Sequence, residues 1–299
     1  MEQLRFDDRV AVVTGAGGGL GRAYALLLAS RGAQVVINDL GGSVSGEGAN
    51  VSAAQKVVDE ITAFGGVAVA DGHSVATADG GEAIVQTALD AFGRLDIVVN
   101  NAGILRDKSI LNTTPEDFDA VIAVHLRGAF CVSRPAFAVM KKQSYGRIVN
   151  TTSPAGLYGN FGQTNYSSAK LGLIGMAKTI AVEGAKYNIK ANCISPSAYT
   201  RMTEGILDAM ADFVTPDRVA PVVAYLCHES NQLSGEVLTT MGGHVTKAWI
   251  AETQGWFGDT PTLEDIAANI DQICDETNPR HLTNIGQTAE LLVKFRNLG

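Results

Sequence analysis

Tyr166 and Lys170 are one helical turn apart in a segment whose apolar residues return every three or four positions. On a helix their side chains share a face, roughly 6 Å apart along the axis. A free phenol, with a pKa of about 10, is a poor base at neutral pH, but a neighbouring ammonium and an oxidised nicotinamide both favour its ionised form. Tyr166 can then exchange a proton with a substrate alcohol. Ser153, at the end of an apolar run upstream, can donate a hydrogen bond to an oxygen that gains negative charge. Singly these residues have ordinary alternatives: serines end strands, tyrosines fill cores and lysines sit on exposed helix faces. Their order, a strand-end serine and then Tyr-x-x-x-Lys, is far more specific and points to chemistry at a secondary alcohol carbon.

Such chemistry needs a hydride carrier, and the N-terminal region has the features to hold one. An apolar run at 10–14 leads straight into Gly15-Ala16-Gly17-Gly18-Gly19-Leu20-Gly21, after which a helical pattern begins. Glycines there let the backbone turn tightly and approach a pyrophosphate seated on the helix N-terminus. The second apolar run ends in Asp39, at the spacing expected of an acid that hydrogen-bonds the adenosine ribose hydroxyls. A carboxylate there repels the 2′-phosphate of NADP, and no basic residue at Gly18 or Leu40 compensates, so the expected cofactor is NAD. The competing role for Asp39 is that of a turn or N-cap acid after a strand.

These residues must be positioned by alternating elements. Short apolar runs rich in β-branched residues fall at 10–14, 34–39, 67–70, 96–100, 147–151, 190–195 and 236–240, and helical patterns at 20–31, 53–64, 81–92, 115–127 and 165–186. Strand and helix in steady alternation predict an α/β fold, a doubly wound parallel sheet of the Rossmann type, in one domain over 1–243. Residues 244–299 read as a helical C-terminal extension for packing or dimerisation. There Thr260-Pro261 is expected to start a helix with Ile266, Ile270 and Ile273 on one face.

Composition bounds the partners. A net charge of -8 argues against nucleic-acid or anionic-lipid binding, which need a basic surface. No apolar run is long enough to cross a bilayer, and the start MEQLRFDDRV shows no secretory pattern, so a cytoplasmic protein is expected. The four cysteines, Cys131, Cys193, Cys227 and Cys274, are widely spaced; the expectation is reduced, mostly buried thiols and no metal site.

The sequence from about Arg5 to Gly243 resembles the short-chain dehydrogenase/reductase family. The resemblance is carried by the Thr14 to Gly21 loop, Asn100-Asn101-Ala102-Gly103, Ser153, Tyr166-Ser167-Ser168-Ala169-Lys170 and a proline turn at Pro196. It implies that Tyr166 is the general acid/base, that Ser153 orients substrate, and that Lys170 binds the nicotinamide ribose while lowering the tyrosine pKa. Gly15, Gly19, Leu20 and Gly21 would hold the cofactor, with Asn101, Ala102, Gly103 and Pro196 along its cleft and Ser74-Val75 flanking the adenine. His125 stands where most of the family has an asparagine, either as a proton relay or as a buried structural residue. After Pro196 the usual glycine is Ser197, and both Thr200 and Thr203 are candidates for the hydroxyl near the nicotinamide amide.

Finer stretches, including Asn38-Asp39-Leu40-Gly41-Gly42, His125-Leu126-Arg127-Gly128 and Tyr158-Gly159-Asn160-Phe161-Gly162-Gln163, are similar to the family's (3R)-hydroxyacyl-CoA dehydrogenases of β-oxidation, which are also described as 17β-hydroxysteroid dehydrogenases. The resemblance implies NAD-dependent oxidation of a 3-hydroxyacyl-CoA, fatty or steroid-derived; where the sequence departs from it, ending in Asn297-Leu298-Gly299, a stand-alone enzyme is expected, as a homodimer or homotetramer. The rivals are a free-steroid dehydrogenase, an NADPH-dependent ketoacyl reductase disfavoured by Asp39 and Leu40, and a non-catalytic dinucleotide sensor. Met202, Ile206, Leu207, Met210 and Phe213 are expected to form an apolar helical stripe, either a substrate lid or ordinary packing. Arg106, Lys108, Lys141 and Lys142 are candidates to meet CoA phosphates.

Overall fold

Residues Val10–Thr14 form strand β1, and all five are buried. A strand covered on both faces is apolar throughout instead of alternating, which is how this run reads. β2 (Gln34–Asn38), β3 (Val67–Asp71), β4 (Ile97–Asn100), β5 (Gly146–Thr151), β6 (Ile189–Ser197) and β7 (Val237–Met241) follow. Neighbouring strands among these seven pair in parallel. β8 (His244–Ala248) completes the order β3-β2-β1-β4-β5-β6-β7-β8. The order reverses between β1 and β4, which opens a crevice beyond the carboxyl ends of those strands. The computed structural model describes residues 3–48, 52–205, 207–283 and 285–296; Ile206, Asn297-Leu298-Gly299 and the side chain of Phe295 lie outside them.

Helices α1 (Gly19–Ser30), α2 (Ser52–Ala63), α3 (Ala78–Phe92), α4 (Pro115–Ile122), α5 (Gly128–Gln143), α6 (Pro154–Tyr158), α7 (Thr164–Gly184) and α8 (Ala220–Cys227) connect and flank these strands, as the alternation in the sequence predicts. Val13, Val35 and Ile37 of the sheet pack with Tyr24 and Leu28 of α1, Ile61 of α2 and Val223 of α8 in one buried core. Cys131, Cys193 and Cys227 are buried and Cys274 is exposed. Among the described residues no helix is long and apolar enough to cross a membrane.

Four local expectations are corrected. The helix expected to stop near 127 passes through a π turn (Ala123–Arg127) into α5. Gly128 is helical and permits close approach: a Cβ there would lie 3.0 Å from Val75 Cγ2. Pro196 is not a turn residue; β6 runs through it, paired with Thr240. The described residues of 201–216 form no apolar helix but turns and short 3-10 segments, since Thr203 Oγ1 takes the Thr200 N–H at 2.8 Å and Asp208 takes the Gly205 N–H at 2.9 Å. Phe213 there stacks with Arg218, 4.8 Å from guanidinium carbon to ring centroid. β8 was not anticipated because its mixed, largely exposed residues carry no strand periodicity; the Gly242-Gly243 turn, φ 57° and 90°, was its one signal.

The chain divides into two compact units, 1–247 and 248–299, so the first runs past the expected 243/244 boundary to include most of β8. In the second unit Thr262, not Thr260, caps a helix, α9 (Leu263–Ala268), in a reciprocal capping box with Asp265. The single helix expected there breaks at Asn269 before α10 (Ile270–Ile273), and α11 (Gly286–Arg296) follows. Ile266 and Ile270 are exposed.

Candidate active site

A cleft of about 230 Å³ opens at the sheet's switch point. Gly15, Gly19, Leu20, Asp39, Ser74, Val75, Asn101, Ala102 and Gly103 all line it, whereas Gly21, Tyr166, Lys170 and Pro196 do not. Gly21 acts from beneath, because a Cβ there would lie 2.2 Å from the Gly15 carbonyl oxygen. Only glycine lets α1 start this close under the loop. Gly18, the N-cap of α1, offers no side-chain cap, and the direction its Cβ would take is empty. The first-turn N–H groups therefore face the cleft without a side chain over them, which fits a diphosphate.

Backbone and side chains lock this loop. Thr14 Oγ1 accepts the N–H groups of Asn101 at 3.0 Å and Ala102 at 3.1 Å. The Asn101 amide donates to the carbonyls of Thr14 at 3.0 Å and Gly15 at 3.1 Å, tying the end of β1 to the end of β4. Asp39 accepts the N–H of Gly17 and that of Gly41, each at 2.7 Å. A carboxylate has about four lone-pair sites, so two remain for ribose hydroxyls. Thr200 lines the cleft, while the Thr203 hydroxyl donates to the Ala198 carbonyl at 2.8 Å; of the two threonines only the first is placed to meet a bound cofactor.

Sequence reasoning missed the strap at 40–48. Leu40, Ser43, Val44 and Gly46 line the cleft, and the strap is pinned by Leu105 N–H to Val44 O at 2.9 Å and Arg106 Nε to Ser45 O at 3.2 Å. Its run of Gly and Ser was readable as a turn cluster, but not its place. Arg201 and Met202 also line the cleft.

Ser153 is the N-cap of α6, its hydroxyl accepting the Ala155 N–H at 3.2 Å. Its hydroxyl also acts on the Tyr166 phenol at the start of α7, favouring the ionised form. The buried Asn165, missed from the sequence, sets that start: its amide donates to the Arg106 carbonyl at 3.1 Å and its oxygen accepts the Tyr166 N–H at 2.8 Å. Lys170 Nζ, 5.3 Å from the Tyr166 ring centroid, donates to the Thr151 carbonyl at 2.6 Å. The structure thus brings Ser153, Tyr166 and Lys170 together.

Burial dominates the electrostatics of both groups. Burial pushes the Tyr166 phenol up to about 12, with the Ser153 hydrogen bond pulling down and Asp107 adding to the rise. Burial takes the Lys170 ammonium down to about 7. Loss of hydration therefore outweighs the other influences on both groups.

His125 sits in the π turn, buried, with its ring edge-on to Tyr166 at 5.2 Å. Nε2 lies 3.0 Å from the Ile104 nitrogen and 2.8 Å from its oxygen, while Nδ1 has no partner. Burial first, and the Lys170 charge second, hold its pKa well below the usual value, so the ring is neutral. The small cavity between it and Lys170 is too narrow for a water.

Three of the four candidate CoA cations have other partners. Arg106 and Lys108 both pair with Asp117, at 3.4 Å and 2.7 Å. Lys141 lies over the Tyr187 ring at 4.9 Å, and it and Lys142 are in the last turn of α5, at the opposite end of the sheet from the cleft. The surface at 108–111 and 158–162 is instead apolar: Ile110, Leu111 and Phe161 are exposed on two loops joined by Lys108 N–H to Gly162 O at 2.9 Å, and Tyr158 is exposed at the end of α6.

A glycine-loop cleft beside a Ser, Tyr and Lys cluster on a doubly wound sheet defines a nucleotide-dependent alcohol dehydrogenase. The family model for short chain dehydrogenases matches residues 9–210, and the chain belongs to that family. It is 50% identical over 298 residues to peroxisomal multifunctional enzyme type 2 of Drosophila melanogaster, covering 98% of this chain and 49% of that one. The solved full-length structure of peroxisomal multifunctional enzyme type 2 from Drosophila melanogaster matches with a TM-score of 0.82 at 42% identity, covering 97% of this chain and 50% of the other. A hydroxyacyl-CoA dehydrogenase of Mycobacterium tuberculosis is 40% identical over 261 residues, covering 80% of this chain and 78% of that protein. The chain spans 49% of the length of the Drosophila melanogaster enzyme and 38% of that of its Mus musculus counterpart.

Proposed function

We propose that this protein oxidises a (3R)-hydroxyacyl-CoA to the 3-ketoacyl-CoA with NAD, as a step of β-oxidation. The observation that carries the reading is the Ser153, Tyr166 and Lys170 cluster beside a cleft whose ribose end holds Asp39 and no cation. The apolar surface formed by Ile110, Leu111, Tyr158 and Phe161 suits an acyl chain, and the name of the hydroxyacyl-CoA relative supports the substrate class.

When bound, the nicotinamide supplies the hydride acceptor and a positive charge. Tyr166 removes the hydroxyl proton as the carbon gives up its hydride. Ser153 holds the substrate oxygen, and Lys170 holds the nicotinamide ribose. Asp39 holds the adenosine ribose and rejects a 2′-phosphate. His125 serves as a neutral brace, fixing Ile104 and the back of the Tyr166 ring, rather than as a relay.

Steady-state kinetics with 3-hydroxyacyl-CoAs, steroid-CoA conjugates and free 17β-hydroxysteroids, each with NAD and NADP, test the proposal. The highest kcat/KM is expected for a 3-hydroxyacyl-CoA with NAD; preference for free steroids or for NADP overturns it. The homodimer or homotetramer, with the 248–299 unit at an interface, is a separate part of the proposal: truncation after Lys247 should change the sedimenting species. The cytoplasmic location expected from the sequence stands against the peroxisomal names of the relatives, and cell fractionation decides between them.

A further inference from the structure

Arg201 lines the cleft together with Thr200, Met202, Gly18, Gly19 and Leu20. The turn that carries it borders the glycine loop closely, since a Cβ on Gly19 would lie 3.4 Å from Thr200 Cγ2. Its backbone is fixed locally: the Met202 N–H donates to Thr200 Oγ1 at 3.2 Å, and the base of the loop is closed by Tyr199 N–H to Val214 O at 2.6 Å. Arg9, Arg22, Arg94 and Arg106 all hold carboxylates. Arg201 is exposed and, among the described residues, has no carboxylate or carbonyl partner. The Gly15 to Gly21 loop itself contains no cation, and the next one along, Arg22, is paired with Glu60. The loop therefore offers a diphosphate N–H dipoles and no full positive charge.

We infer that Arg201 binds the diphosphate of the dinucleotide, supplying the charge that the glycine loop lacks. The inference rests on the dinucleotide reading of the cleft. A guanidinium presents planar paired donors that match phosphate oxygens, so it both neutralises and orients the group. Coenzyme A carries a diphosphate too; the place of Arg201 beside Gly18, Gly19 and Leu20 assigns it to the dinucleotide.

Fluorescence titration of the full chain with NADH, in the parent, Arg201→Met and Arg201→Lys, tests this. The Met variant should bind NADH roughly tenfold or more weakly, the worth of one charge-assisted pair, and the Lys variant should fall between. Adenosine, which keeps the base and ribose but lacks phosphate, should bind all three alike. The salt sensitivity of NADH binding should shrink in the Met variant. Unchanged NADH affinity, or adenosine weakened in parallel, overturns the inference. If calorimetry shows Arg201→Met weakening coenzyme A but not NADH, the cation serves the other diphosphate and the assignment is wrong. A parent protein that binds no NADH at all removes the dinucleotide reading itself and this inference with it.

Discussion

At the cofactor end of the cleft Thr14, Asn101 and Asp39 each meet backbone partners. At the tyrosine end Lys170 and Tyr166 are buried where their charged forms are disfavoured, and His125 Nδ1 and Thr151 Oγ1 have no hydrogen-bond partner. An unsatisfied buried polar group costs about 1–3 kcal/mol, so the first region adds to stability and the second subtracts from it. The contrast teaches which end holds a ligand in a preformed cradle and which keeps groups poised to change protonation.

The sharpest way to break this contrast is Tyr166→Phe. Turnover should fall by ~10²–10⁴-fold or more, because the group placed to take the alcohol proton is gone. NADH affinity should be unchanged, since Tyr166 does not line the cleft; parallel loss of both would merge the two regions into one. The reciprocal change is Asp39→Ala, which should narrow the preference for NAD over NADP by about tenfold, or ~1.4 kcal/mol, while leaving the proton-transfer step alone. Ratios of kcat/KM for the two cofactors report it.

Lys170→Met sharpens the stability side. The folded pKa of about 7 lies below the ordinary 10.5, so between these values the unfolded chain binds more protons and stability rises with pH. Below pH 7 the full penalty of the buried ammonium applies. The Met variant, though severely slowed as an enzyme, should melt roughly a few degrees higher than the parent at pH 6, with the gap closing toward pH 10. A variant that melts lower at every pH would mean that the bond to the Thr151 carbonyl outweighs the burial of charge. The smallest effect is expected of His125→Asn, which should lower kcat modestly and leave the pH profile of kcat unmoved. A lost acidic or neutral limb in that profile would make the histidine a proton carrier.

Much of the site was legible at both ends because its signals are local. The glycine run follows β1 directly, Asp39 follows β2, and Tyr166 and Lys170 sit a helical turn apart. What escaped depends on distant chain. The helical pattern over 115–127 shows nothing of Val75, which packs against Gly128, and the strap at 40–48 is held by Leu105 and Arg106 far along the sequence. The depth at which Tyr166 and Lys170 lie was not legible either, because neighbours along a helix show proximity but not burial. The loop after Thr200 was misread as helical because its apolar spacing was visible, whereas the side-chain bonds of Thr203 and Asp208 that hold its turns were not.

Gly103 and His125 occupy what is in effect a single volume of space. A Cβ on Gly103 would lie 2.3 Å from His125 Cε1, yet the glycine's backbone is not in the left-handed region that demands it. Gly103→Ala should therefore be damaging, by about 1–3 kcal/mol of overpacking, only while the histidine is present. The three atoms nearest that methyl group all belong to the His125 ring, so with the smaller asparagine at 125 the clash is relieved and the two substitutions made together should cost less than their sum. The order in which such changes could accumulate is then constrained: the ring must shrink first, and the glycine becomes free to drift only afterwards.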